Sequence, residues 1–221
     1  MPGWTAVLLW WGAFAVSHSV PCASPIREQL VSRLGLRGFR AAYSAVSLVV
    51  FALLVRSYWR AIHTGPELWH LRSVPGVSAL AVLLSTVAVI AALAGFLRPS
   101  PASFRAGGGP PRAVGLLRVT RHPVFAAFGL WALAHLLVNG FLADVVFFGG
   151  FALYSVVGAA HQDVRKRKDP ALQEFFAKTS FLPFWAIVSG RNRWARDELP
   201  WWTVPAGVVA AAIIYHLHPA G

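Results

Sequence analysis

The sequence is poor in sulfur and in charge, with one cysteine, one methionine and eight acidic residues among 221. The single cysteine, Cys22, excludes an intrachain disulfide and any zinc or iron–sulfur site that needs several cysteines. Charged residues make up 13% of the chain and hydrophobic residues 57%, against about 25% and about 45–50% in a typical soluble domain. These proportions exclude a disordered chain and indicate a membrane protein.

Six apolar stretches qualify as membrane-spanning helices, since a helix needs about 20 apolar residues to cross a bilayer. We therefore predict an all-α fold, a polytopic helical bundle that forms one integral membrane domain over residues 1–221. Residues 163–200 are expected to form a cytoplasmic interfacial segment. We expect the first stretch to be a retained helix and not a cleaved leader, because Met1–Trp4 carries no basic residue. The predicted spans are Gly3–Val20, Ala42–Trp59, Val77–Leu97, Pro123–Val138, Leu142–Ala160 and Thr203–Leu217.

The basic residues predict the orientation of this bundle. Seventeen of the twenty Lys and Arg residues fall in the loops after spans one, three and five, and only Arg56, Arg60 and Arg72 lie on the other side. Cytoplasmic loops collect Lys and Arg, so we expect both termini to face outward. The net charge of +12 then reflects topology and attraction to anionic membrane lipid, and we predict no nucleic-acid partner.

Turn signals complete the predicted organisation. Asn-Gly within Val138–Phe141 predicts a tight turn, so spans four and five should form an antiparallel hairpin that places His122 and His161 at similar depth. Asp169-Pro170 predicts the start of a short helix. Pro99–Arg112, rich in Gly and Pro, is predicted to be a flexible cytoplasmic loop.

Histidines inside or beside the spans are the candidate ligands, because ionisable groups in a membrane are costly and commonly functional. His135 shares a helical stripe with Phe128, Trp131 and Asn139. Such an aromatic wall suits haem, whose iron takes axial imidazole; the alternative is a histidine bonded to a neighbouring helix. His122 and His135 are 13 residues apart. On one helix that means about 20 Å and about 140°, so a metal ion can bind at most one of them.

Another set of polar side chains is predicted on the outer side. His63, Glu67 and His70, with His216 and His218, have the chemistry of a zinc or iron site. We favour the alternative that they are interfacial side chains near the lipid headgroups.

Several motifs carry a family resemblance. They are Arg121-His122-Pro123, Leu130–Gly140, Phe148–Phe151, Arg165–Arg167, Lys178–Phe184, Gly190-Arg191, Leu34–Arg40, Tyr43-Ser44 and His18. In these motifs, and along nearly the whole chain, the sequence resembles the NnrU family of bacterial membrane proteins. That family is linked to nitrite and nitric oxide metabolism in denitrifying bacteria, which implies a multi-pass protein of the bacterial cytoplasmic (inner) membrane.

The family is also similar to plant 15-cis-ζ-carotene isomerase, a haem b membrane enzyme. This implies haem b as cofactor and an apolar polyene or other lipid-soluble small molecule as substrate. The resemblance assigns the haem ligands to His18 and His135. From their depth in the predicted bundle, His122 and His161 are the alternate partners of His18. It implies redox-gated cis–trans isomerisation, in which two histidines close the ferric iron and reduction frees one position. A His-x-Asp pattern near the end of span five is matched by His161-Gln162-Asp163.

The haem hypothesis extends to further residues. Phe128 and Trp131 are expected to line the pocket, and Arg118 and Arg121 are expected to pair with the propionates as charge-matched groups at the cytoplasmic edge.

Two other functions stay open at this point. Arg-His-Pro before a hairpin and a basic segment also resembles isoprenylcysteine methyltransferase-like membrane enzymes. That implies S-adenosylmethionine at the cytoplasmic face, with Arg121, His122 and His161 at its mouth. A third hypothesis is a non-enzymatic accessory or sensor protein in nitrogen-oxide metabolism.

Gly149-Gly150 would permit close helix packing and a homo-oligomer.

Overall fold

The computed structural model describes residues 2–97 and 112–218, which fold into helices joined by turns, with one isolated bridge between Glu67 and Phe141 and no strand. The all-α prediction is therefore confirmed. Residues 99–111 of the predicted flexible loop lie outside the described residues. The α-helices are α1 (Gly3–Ser19), α2 (Ser24–Trp59), α3 (Val77–Leu97), α4 (Leu116–Val119), α5 (Pro123–Val138), α6 (Leu142–Lys166), α7 (Gln173–Lys178), α8 (Trp185–Val188) and α9 (Thr203–Leu217). Short 3₁₀ turns occupy Val20–Cys22, Leu71–Ser73, Pro170–Leu172 and Arg196–Glu198.

Four helical segments are long and apolar enough to cross a membrane: α1 together with the 3₁₀ turn after it (Gly3–Cys22), α2 from Pro25 onward, α3 and α6. Helices α5 and α9 are also apolar but have only 16 and 15 residues. Three predicted spans coincide with α3, α5 and α9, whereas α2 begins far before the predicted Ala42 and α6 extends past Ala160. The count of six spans and the outward termini stay predictions.

Large apolar side chains are exposed along these helices. Examples that are more than half exposed are Leu9, Leu48, Leu83, Leu153 and Ile213. Soluble proteins rarely expose contiguous apolar surface on this scale. The exposed surface therefore suggests a membrane protein.

The chain divides into two compact units, the first being Met1–Pro75 with Leu136–Gly150. In this unit α1 packs along α2, and Val7, Trp11 and Leu54 are buried. Gly150 lies so close to the Trp11 indole that a Cβ there would overlap the ring. Gly150, predicted to permit close helix packing, thus packs against another helix of the same chain. The homo-oligomer stays a prediction.

The second unit is Gly76–His135 with Phe151–Gly221. Here α3 packs on α9, and the rest of α6 runs antiparallel to α5. The antiparallel pairing shows in Gly158 beside Phe125 and in Trp131 edge-on to Phe151 at 5.3 Å. The predicted direction of the hairpin is therefore confirmed.

Backbone hydrogen bonds hold the turn between α5 and α6. Leu68 N donates to Gly140 O at 2.8 Å and Leu142 N donates to Pro66 O at 2.9 Å, so the loop after α2 pairs with this turn. The predicted start of a short helix is also confirmed. Asp169 Oδ1 accepts from Ala171 N at 3.0 Å, and the 3₁₀ turn it caps leads into α7.

Candidate functional site

His135 occupies the last turn of α5 in an aromatic setting. Its Nδ1 lies 2.9 Å from the carbonyl oxygen of Trp131. A carbonyl only accepts, so Nδ1 carries the proton and the neutral ring has its lone pair on Nε2. The Trp131 and His135 ring centroids are 4.5 Å apart, and the His218 ring centroid lies 6.2 Å from that of His135. Of the two predicted pocket-lining residues, Trp131 contacts His135, whereas Phe128 is 43% exposed.

His18, the other predicted ligand, lies in the last turn of α1 and belongs to the first compact unit, whereas His135 belongs to the second. Its Nδ1 is 3.1 Å from Ser47 Oγ on α2. Phe14 stacks on the imidazole at 5.1 Å, and Tyr43 lies at the same centroid distance. Tyr43 Oη also donates to the carbonyl oxygen of His18 at 3.0 Å.

A buried charged cluster joins the start of α5 to the end of α6. His122 Nε2 lies 2.7 Å from Asp163 Oδ1, and Arg121 Nη1 lies 3.3 Å from Asp163 Oδ2. All three side chains are less than 10% exposed. The predicted hairpin placed His122 and His161 at similar depth. In the structure, the side chain that contacts His122 is that of Asp163. His161 is half-buried on the same helix.

Arg121 is held by contacts on several sides. Its Nη2 donates to Thr179 O at 3.1 Å, and its guanidinium lies over the Phe176 ring at 4.6 Å. Burial lowers the pKa of Arg121 from its ordinary value; Asp163 opposes this shift, while the positive charges of Arg167 and Arg191 add to it. Arginine stays protonated even so, which leaves a buried cation here.

Arg118, also predicted to face a propionate, is engaged in a two-pronged ion pair. Its Nε and Nη2 donate to the two carboxylate oxygens of Glu198 at 2.7 and 2.5 Å, and its Nη1 donates to Asn192 Oδ1 at 2.5 Å. Gly115 N donates to the same carboxylate at 2.9 Å. The pair therefore fastens the segment before α5 to the segment before α9, and the predicted role of Arg118 at a propionate stays a prediction.

This ion pair predicts a loss of stability in acid. The Arg118 guanidinium lowers the pKa of Glu198 to about 2, and the Gly115 N–H acts in the same direction. A carboxyl with a depressed pKa in the folded state stabilises above its unfolded-state value near 4.5, and this contribution is lost as pH falls toward 2. We expect Glu198→Gln to cost about 1–2 kcal/mol at pH 7 after allowance for solvent screening, and only about a quarter of that at pH 2.5.

We test this predicted pH dependence by measuring the thermal unfolding midpoints of the wild type and Glu198→Gln between pH 7 and 2.5. The exposed Glu28→Gln is the control and should track the wild type throughout. A gap between wild type and Glu198→Gln that stays constant with pH would contradict the assignment.

Besides Asp163 in the second unit, one more carboxylate is buried among the described residues, and it lies in the first unit. The sequence analysis missed it. Asp144, in the first turn of α6, is 0% exposed. It accepts from Tyr58 Oη at 2.9 Å, from His63 N at 3.2 Å and from His63 Nδ1 at 2.8 Å. These bonds hold His63 in a left-handed conformation, φ 54°, which a non-glycine residue rarely adopts. The sequence signal for Asp144, which the sequence analysis did not use, is an acidic residue four positions after the turn glycine Gly140, at the start of a predicted span.

The outer histidines do not assemble into a metal site. Among residues 2–97 and 112–218, no group of three or more His, Cys, Asp or Glu side chains could hold a metal ion. His70 Nδ1 instead pairs with Glu67 Oε1 at 2.5 Å, and both side chains are solvent-exposed. His70 and Glu67 therefore lie at the surface, and their place near the lipid headgroups stays a prediction.

Comparison with known proteins bears on these sites. The family model described as NnrU protein matches residues 5–220. The 15-cis-zeta-carotene isomerase of Arabidopsis thaliana chloroplasts is 29% identical over 93% of this chain, and that of Zea mays chloroplasts is 28% identical over 83%. The chain spans only 57% and 50% of these two relatives. No solved structure matches it.

The family model covers almost the entire chain, and its match includes the segments that carry His18, the Arg121–His122–Asp163 cluster and His135. The resemblance read from the motifs is therefore confirmed, and the chain belongs to the NnrU family.

Proposed function

We propose that this protein is a membrane isomerase that interconverts cis and trans double bonds of a carotenoid-like polyene. The observation that carries the proposal is the similarity to two 15-cis-zeta-carotene isomerases over most of this chain. The exposed apolar helices are consistent with a lipid-soluble substrate. We retain the bacterial cytoplasmic membrane as the predicted location; the named relatives are chloroplast proteins.

The donors present fit haem b, which we propose as the cofactor. Histidines that bind metals commonly donate the second ring N–H to a carbonyl or similar acceptor, and His135 makes this bond to Trp131. His18 has its Nδ1 engaged with Ser47. Bound haem would supply a redox-active iron. His135 would be one imidazole ligand, with Trp131 beside it as an apolar side chain that excludes water, and His18 stays the predicted second ligand.

Absorption spectra of the purified protein test this proposal. We expect a Soret band in the wild type, expressed with ample haem supply, and loss of most of the bound haem in His135→Ala. His70→Ala removes an exposed histidine and serves as the control, with haem content unchanged. His122→Ala and His161→Ala test the alternate ligands, and retention of haem in both is expected.

Activity is measured separately, by chromatographic analysis of a 15-cis polyene incubated with the reduced protein in detergent. Conversion to the trans isomer is expected in the wild type and not in His135→Ala. A colourless wild type would overturn haem as the cofactor. Bound haem without conversion would overturn the isomerase and favour the accessory or sensor function.

A further inference from the structure

The cluster at the start of α5 contains buried polar atoms with no hydrogen-bond partner. Arg121 Nε and His122 Nδ1 make no hydrogen bond to any described residue, and Arg121 Nη1 makes only the 3.3 Å ion pair with Asp163 Oδ2; the Arg121 residue is 6% and the His122 residue 3% exposed. Buried donors without partners destabilise a protein, so such atoms call for an explanation such as a ligand. Asp163 satisfies His122 through Nε2 and leaves the other side of the imidazole unpaired.

The charge around these atoms selects the ligand. Arg191 Nη1 donates to Thr179 O at 3.1 Å, the same carbonyl that accepts from Arg121. Arg167 and Arg191 both act electrostatically on Arg121, whose one ion-pair partner in the part of the chain that the structure describes is the carboxylate of Asp163. The N-terminal end of α5, whose helix dipole is positive, begins at the next residue, Pro123. An excess of positive charge with unpaired N–H donors favours an oxyanion.

An apolar surface begins beside this cationic cluster. Arg121 N donates to Ser180 O at 2.9 Å and Phe184 N donates to Val119 O at 2.8 Å, which ties the segment after α7 to the cluster. This segment then exposes large apolar side chains, which are Leu182 (61% exposed), Phe184 (51%), Trp185 (56%) and Val188 (76%). A buried cationic cluster next to an exposed apolar surface is complementary to an amphiphile with an acidic head.

We propose that Arg121 and His122 bind a phosphate group, the headgroup of an anionic membrane lipid whose chains lie along the Leu182–Val188 surface. Arg121 Nε and Nη1 donate to phosphate oxygens. The Nδ1 of His122 accepts from a phosphate hydroxyl when the imidazole is neutral, or donates when it is protonated. This inference goes beyond the isomerase function and does not depend on it.

Thermal unfolding of the full chain in a neutral detergent tests the proposal. We expect phosphatidic acid to raise the unfolding midpoint and phosphatidylcholine to leave it unchanged. Inorganic phosphate at constant ionic strength separates the sources: a shift with lipid alone identifies a headgroup, and an equal shift with both identifies free phosphate at the same site. A shift with S-adenosylmethionine and none with either phosphate compound would overturn the proposal.

Variants locate the site. His122→Gln keeps a nitrogen for Asp163 and removes Nδ1, and Arg121→Lys keeps the charge and removes the guanidinium donors. Each is expected to weaken the apparent affinity for phosphatidic acid at least about tenfold. Lys168→Gln removes one exposed positive charge nearby and should stay within about twofold of the wild type.

If far-ultraviolet circular dichroism shows that Arg121→Lys does not fold, the phosphatidic acid affinity of His122→Gln alone tests the proposal. Wild-type affinity in His122→Gln would overturn the proposal. The Soret band is recorded on the same samples. A change in lipid affinity at unchanged haem content therefore bears on the phosphate site only, and a missing Soret band bears on the proposed cofactor only.

Discussion

Replacing Asp144 with alanine is expected to lower the free energy of unfolding by about 3 kcal/mol or more. The carboxylate is fully buried and accepts three hydrogen bonds, one from Tyr58 and two from His63. Its loss would leave the Tyr58 hydroxyl buried without a partner and would free His63 from its left-handed backbone conformation. The loop that pairs with the α5–α6 turn would lose its side-chain attachment to α6 and keep only the backbone hydrogen bonds.

Denaturant titration in detergent micelles, followed by far-ultraviolet circular dichroism, measures this loss. Asp144→Asn keeps one acceptor oxygen and should fall between alanine and the wild type. Tyr58→Phe removes only one hydroxyl and should cost about 1 kcal/mol. An Asp144→Ala protein as stable as the wild type would show that these hydrogen bonds carry no net stability.

The second large effect is expected for Gly140→Ala in the turn between α5 and α6. A Cβ at Gly140 would overlap the carbonyl oxygen of Trp69, a backbone atom that cannot rotate away. The turn would have to separate from the loop after α2 and lose the Leu68–Gly140 and Leu142–Pro66 hydrogen bonds. We expect a destabilisation of about 2–4 kcal/mol.

Gly149→Ala is the matched control, because nothing lies within 4 Å of the position of its Cβ. Alanine is favoured over glycine within a helix, so this variant should be neutral or up to about 1 kcal/mol more stable. Both variants are compared by thermal unfolding in the same detergent. Equal stability of Gly140→Ala and Gly149→Ala would contradict the close approach at Gly140.

The sequence predicted the apolar helices because apolar length indicates them, whereas the more polar first part of α2 and the end of α6 were not predicted. Val77–Leu97, Pro123–Val138 and Thr203–Leu217 were each predicted with the ends that the structure shows. The Asn-Gly turn predicted the antiparallel hairpin because a break of a few residues between two apolar helices leaves little alternative.

The polar pairs were harder to predict, because they depend on helix rotation and loop conformation. His161 and Asp163 differ by two residues, which is about 200° around a helix, so similar depth on the hairpin did not identify which of them faces His122. Asp144 and His63 come together only because the loop after α2 turns back onto the start of α6, and no local pattern predicts that return. The polar atoms of Arg121 and His122 that lack hydrogen bonds can be recognised only once burial is known.

The left-handed glycine within α2 has a consequence for how this long helix meets a bilayer. Gly35, at φ 68° and ψ 162°, interrupts the helix between Arg27 and Phe39, and the Arg27 guanidinium lies over the Phe39 ring at 5.8 Å. In a straight helix these residues would be about 18 Å apart along the axis, so the chain bends back sharply here. Residues 36–59 alone are about 36 Å long, enough for the hydrocarbon core of about 30 Å. The elbow thus lets the arginine-bearing first arm lie flat among lipid headgroups while the second arm crosses.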